Sequence, residues 1–179
     1  MKKVSTINES LPETERPTFS ENEIIPILKE QYDLCCSVKE LPGERDRNYL
    51  AQDKIGDLYV LKISNASEEL DYLEIQNQAL ECTAKLLDYG RTPIVITDIN
   101  GESLSRTLSK SKILYWTRLV KFVEGIPMAQ YKPHTKEFLN DLGVMCGKIT
   151  KALQEIQIQN QKRRHLWDCL LYTSPSPRD

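Results

Sequence analysis

The sequence predicts an α+β fold: a small, mostly antiparallel sheet of five strands with one helix inserted between the third and fourth, and a long helix after the last. Three observations carry this. Leu58-Tyr59-Val60-Leu61-Lys62-Ile63 is a run of β-branched, aromatic and leucine residues of strand length. Two shorter extended segments precede it, separated by polar, Gly-containing turns. Two helical periodicities follow it, one before and one after a further pair of extended segments.

The elements follow in order. Residues 1–17 are polar, contain Pro12 and Pro17, and read as a flexible arm. Ser20-Glu21-Asn22-Glu23 fits a capping box, with Ile24, Ile27, Leu28 and Tyr32 at helical spacing behind it. Pro26 removes a helical hydrogen bond and crowds the preceding turn, so a late start or a kink is expected. Residues 37–41 and 48–52 are expected strands around the turn Pro42 to Arg47. Lys54-Ile55-Gly56-Asp57 is a second turn leading into 58–63. Ser67 is expected to cap the inserted helix, whose first turn carries Glu68 and Glu69. Leu70, Leu73, Leu80, Ala84 and Leu87 form its apolar stripe, interrupted only by Asn77. Glu74 and Glu81 share a face beside that stripe, and Gly90 is the expected terminator. Residues 93–99 form the fourth expected strand, ending at Asn100-Gly101, and 114–123 the fifth, ending at Glu124-Gly125-Ile126-Pro127. Phe138, Leu142, Met145, Ile149, Leu153 and Ile156 place a helix at about 135–160.

Composition excludes several classes. With 24 Lys+Arg against 26 Asp+Glu the net charge is −2, and the longest basic run is Lys162-Arg163-Arg164. Binding to nucleic acid or an anionic membrane surface needs concentrated positive charge, so neither is expected. No window approaches the roughly 18–20 consecutive apolar residues of a membrane span. The first residues have no apolar segment of a secretory signal. Cys35, Cys36, Cys82, Cys146 and Cys169 are odd in number and lack a C-x-x-C pair, so reduced thiols in a cytoplasmic protein are expected, with no metal site.

Lys62 ends the best strand, and a helix bearing carboxylates follows it. A lysine on a rigid strand offers a point charge to phosphates, and a helix carboxylate can hold it in place. Tyr59-Val60-Leu61-Lys62 stands where protein-kinase-like folds have V-A-I-K. The chain resembles the aminoglycoside phosphotransferase and choline kinase group of small-molecule kinases, and within it the hydroxylysine kinase-like branch. The resemblance rests on Leu41-Pro42 through Asn48-Tyr49, Leu61-Lys62-Ile63-Ser64-Asn65 and Leu73-Glu74-Ile75-Gln76. It continues through Phe122-Val123-Glu124-Gly125-Ile126-Pro127, Leu139-Asn140-Asp141-Leu142-Gly143 and His165-Leu166-Trp167-Asp168.

The resemblance implies a protein-kinase-like N-terminal lobe and hinge over 18–127, then the start of a helical C-terminal lobe over 128–168. It implies that Lys62 contacts ATP phosphates and that Glu74 pairs with it, Glu81 being the competing carboxylate. Phe122, Val123 and Glu124 are the implied hinge, and Gly43 through Asn48 the loop over the phosphates. One glycine there replaces the G-x-G-x-x-G of protein kinases. The implied reaction moves the γ-phosphoryl group of Mg-ATP to a hydroxyl of an amino alcohol or related small metabolite. Members of that branch also occur fused to a class III aminotransferase.

The family's His-x-Asp-x-x-x-x-Asn catalytic loop is not in this sequence. His134 is followed two residues later by Lys136, His165 by Trp167, and Asp168 five residues later by Thr173. His134 and His165 are therefore read as structural. The magnesium ligands are expected in a C-terminal lobe that the chain lacks, so the chain alone is expected to be inactive. Residues 169–179, a Ser-Pro tract after a helical stretch, read as a non-native tail. The alternative is a complete, non-catalytic kinase-like binding or interaction module.

Overall fold

A computed structural model describes residues 16–87 and 91–156. The expectations for the N-terminal arm up to residue 15, for Gly90, for His165 to Asp168 and for the 169–179 tail lie outside the described residues.

Helix α1 (Glu21–Tyr32) begins at the capping box: the Glu23 carboxylate accepts from the Ser20 N–H at 3.0 Å and from Ser20 Oγ at 2.6 Å. Pro26 does not delay its start, and the helix runs through it to a left-handed Asp33. Strands β1 (Cys36–Leu41), β2 (Arg47–Asp53) and β3 (Leu58–Ile63) form the expected meander. Gly56, at φ +98°, takes the left-handed position of the β2–β3 turn, where a side chain would be strained.

The inserted helix α2 (Leu70–Leu87) starts later than expected. Ser67 is not its cap, because the Asn65 side chain accepts from both the N–H and the hydroxyl of Ser67 and holds the chain in a turn. Strand β4 is only Val95–Ile96, and a sixth strand, β5 (Ser105–Leu108), was not expected. The long strand β6 (Leu114–Lys121) and helix α3 (Lys136–Leu153) complete the order. Thr135 caps α3 by accepting from the Phe138 N–H.

All strand pairs are antiparallel, in the order β1-β2-β3-β6-β4, with β5 also on β6. β5 pairs with the first half of β6 up to Thr117 and β4 with the second half from Leu119, so Arg118 lies in the gap between them. Side chains in one cross-strand row share a face. Tyr49, Leu61 and Leu119 form one such row; with Ala51, Ile63 and Tyr115 they make a buried core that α1 seals through Ile24 and Leu28. The Tyr49 hydroxyl donates to the Phe19 carbonyl at 2.6 Å inside this core.

Cys35, Cys36, Cys82 and Cys146 are free thiols. Among the described residues no helix is long and apolar enough to cross a membrane.

Candidate functional site

The face of the sheet opposite α1 consists of the alternate rows. Asn48 pairs with Lys62 and Lys62 with Arg118, giving a polar row across β2, β3 and β6. The next row is Leu50, Val60, Val120 and, on β4, Val95. Leu50 and Val60 are only half-buried, so an apolar platform lies beside a pair of cations. Strand alternation produces this arrangement: the residues between these positions are those that fill the α1 core.

Lys62 Nζ donates to Asn48 Oδ1 at 3.0 Å. Burial pushes the Lys62 ammonium below the ordinary lysine pKa, and the charge of Arg118 adds to that effect while Asp46 opposes it. Arg118 is 5% exposed. Its guanidinium donates from Nη1 to Asn77 Oδ1 at 2.8 Å and from Nη2 to Gln76 Oε1. Its Nε–H, also buried, has no hydrogen-bond partner among the described residues. Burial lowers the pKa of Arg118 as well, with Asp46 and Glu68 acting in the opposite direction; an arginine nonetheless stays protonated.

The turn between β1 and β2 closes one end of the polar row. A Cβ on Gly43 would stand 2.6 Å from the Asp46 carbonyl oxygen and 2.8 Å from Asn48 Nδ2, so only glycine fits. The Asp46 carboxylate accepts from the Asn65 N–H at 3.1 Å and ties this turn to the segment after β3. Gly43, Asn48 and Lys62, chosen from the sequence, are thus brought together.

Glu74 is not brought to them. It lies on the exposed face of α2, forms no ion pair with Lys62, and Glu81 is exposed too. Helix periodicity explains this. The inward stripe is Leu73, Asn77, Ala84 and Leu87, and Glu74 sits one residue, about 100°, away from it. The interruption of the apolar stripe at Asn77 was visible in the sequence; its meaning was not, because the partner, Arg118, is reached only through sheet register.

At the other end of the apolar row β6 leaves the sheet. Lys121 N donates to the Ile94 carbonyl and Phe122 N to the Leu58 carbonyl at 2.9 Å. Beyond these, Val123 and Glu124 form no backbone–backbone hydrogen bond among the described residues, which leaves their N–H and C=O groups open. Phe122 and Val123 are half-buried and Glu124 is exposed. His134 Nε2 lies 3.0 Å from the Met128 carbonyl and its ring stacks on Phe138.

The site offers an apolar platform, open backbone groups at one end and two adjacent cations at the other. These features suit a flat heterocycle carrying phosphates. Among the described residues no group of three or more His, Cys, Asp or Glu side chains could hold a metal ion.

No protein-family model matches the chain, and no curated protein matches it. Solved structures do match. A structure of amicoumacin kinase hAmiN in complex with AMP-PNP, Ca2+ and Ami superposes with a TM-score of 0.65 at 14% identity, covering 84% of this chain and 45% of that one. The microcompartment-associated aminopropanol kinase gives a TM-score of 0.56 at 16% identity, with 83% and 45% covered. The chain therefore has a kinase-like α+β fold, shared with two small-molecule kinases. It spans less than half the length of either.

Proposed function

We propose that this chain is the nucleotide-binding lobe of an ATP-dependent small-molecule kinase of the aminoglycoside phosphotransferase and choline kinase group. The observation that carries the reading is the open sheet face, with its apolar Leu50–Val60–Val120 row lying between the Asn48–Lys62–Arg118 row and the open backbone of Val123 and Glu124. In this reading the adenine lies on the apolar row and hydrogen-bonds the backbone at Val123 and Glu124. Lys62 offers its charge to the phosphates, and the Gly43–Asn48 turn borders them. Glu74 has no part in holding Lys62; Asn48 has that role.

The bound nucleotide supplies the γ-phosphoryl group, and the acceptor is a hydroxyl of a small metabolite. An amino alcohol such as a hydroxylysine-like compound is the proposed acceptor class. The sequence segments that resemble the hydroxylysine kinase-like branch support it, and one of the structural neighbours is named for an amino alcohol, aminopropanol. The magnesium ion does not find its ligand set among the described residues. Its ligands and the catalytic base belong, in this proposal, to a second lobe. The 45% coverage of both solved kinases supports that division.

Isothermal titration of the chain with ATP tests the reading. A pocket built by one lobe gives weak, saturable binding. Lys62→Ala should weaken it about tenfold or more, as expected for loss of a charge-assisted hydrogen bond. Absence of saturable binding, or an unchanged affinity in the folded variant, would remove Lys62 from the phosphate site and favour a non-catalytic interaction module.

A further inference from the structure

Arg118 stands out among the described residues as a buried cation whose direct partners are two neutral amides. Gln76 and Asn77 come from α2, and Arg118 comes from the position of β6 between the stretches paired with β5 and β4. It is the direct cross-strand neighbour of Lys62. The charged groups facing this pair are Asp46 from the β1–β2 turn and Glu68 from the segment before α2, both acting on Arg118 through space. The neighbouring strand β2 contributes neutral Asn48, and α2 contributes only the two amides.

We propose that Arg118 is a positioning residue for Lys62: it fastens α2 to the sheet through Gln76 and Asn77, and its charge makes the Lys62 end of the open face a two-cation seat for an anionic phosphate group. The ligand assignment rests on the nucleotide reading above; the coupling between the two cations does not. Amide partners fix the guanidinium in place without neutralising it, whereas a carboxylate at either α2 position would. Two cations held side by side in a partly desolvated site are unfavourable alone and are relieved by a polyanion. The buried Nε–H of Arg118 leaves one further donor unused.

The test follows the ammonium titration of Lys62 by NMR in chain carrying 13C-labelled lysine, together with tripolyphosphate and ATP affinities. Asn77→Asp keeps the arginine and the side-chain shape but neutralises the field at Lys62. The Lys62 midpoint should move up, and tripolyphosphate and ATP binding should weaken by about tenfold for each pKa unit of change. Arg118→Gln should move the midpoint the same way. Arg118→Lys should leave the midpoint near wild type while lowering hydrogen-exchange protection around residues 76 and 77 in α2, because a point charge cannot bridge both amides.

A Lys62 midpoint that stays fixed in Asn77→Asp overturns the proposal, and that variant decides the matter if Arg118→Gln does not fold. If the midpoint moves but wild-type chain binds tripolyphosphate and not ATP, the nucleotide reading fails while the two-cation seat stands. If the midpoint moves but neither anion binds, the seat is overturned.

Discussion

Replacing Lys62 with methionine should make the protein more stable while weakening its hold on phosphates. Lys62 and Arg118 are directly opposed across β3 and β6, a placement that separates their Cβ atoms by about 5 Å. Two unit charges about 6 Å apart at an effective dielectric near 20 repel by about 3 kcal/mol. The attraction of Asp46 and the 3.0 Å hydrogen bond to Asn48 offset part of this, the bond contributing about 1 kcal/mol. Methionine keeps the apolar stem and removes the charge, so Lys62→Met should gain about 1 kcal/mol, or about 2–4 °C in Tm. The gain depends on pH. The folded pKa of Lys62 lies below the ordinary 10.5, so across the window between them the unfolded chain binds more protons, and wild-type stability rises with pH. Below that window both states are protonated and the penalty is complete. The advantage of Lys62→Met should therefore be full below the folded pKa and shrink as pH rises through it towards 10.5. Thermal unfolding of both proteins across neutral and alkaline pH is the assay. A less stable variant, or a stability difference that does not change with pH, would refute the reasoning.

Three further outcomes are expected. Gly43→Ala drives a Cβ into the Asp46 carbonyl and the Asn48 amide, so it should cost about 1–3 kcal/mol and lower ATP affinity together, measured by denaturant unfolding and calorimetry. Tyr49→Phe leaves the Phe19 carbonyl unpaired in the α1 core and should cost about 1–3 kcal/mol in denaturant unfolding, with ATP affinity unchanged because that core faces away from the open rows. Leu50→Asn removes part of the apolar platform and should weaken ATP severalfold while leaving tripolyphosphate binding as it was; equal losses for both ligands would show that no base lies on that row.

Much of the fold was legible because local signals and tertiary contacts agree. The capping box of α1, the β-rich run that contains Lys62, the Gly56 turn and the amphipathic stripe of α3 each carry their own physical cause. The misses fall where side chains redirect the backbone. β4 stops at Ile96 rather than reaching Ile99 because the Asp98 carboxylate takes the N–H groups of Asn100 and Glu102 and turns the chain. β5 is four residues, Ser-Arg-Thr-Leu, whose alternation is too short and too polar to read alone; its buried Ser105 and Thr107 are identified by the pairing with β6. Gly43, Asn48 and Lys62, singled out through the kinase resemblance, lie together because they border a single meander. Arg118 was not singled out, because its pairing with Lys62 depends on a strand register formed across an intervening helix and two strands. Glu74 was chosen from the kinase pattern, but the α2 stripe turns it to solvent and gives the inward position to Asn77.

The most direct test of the central claim is a backbone amide NMR titration of the chain with AMP-PNP. Saturable shifts should concentrate on the open rows and the strand exit: Asn48, Leu50, Val60, Lys62, Arg118, Val120 and residues 122–124, with α1 unaffected. Shifts centred on α1 and its core face, or none at all up to millimolar nucleotide, would contradict the account.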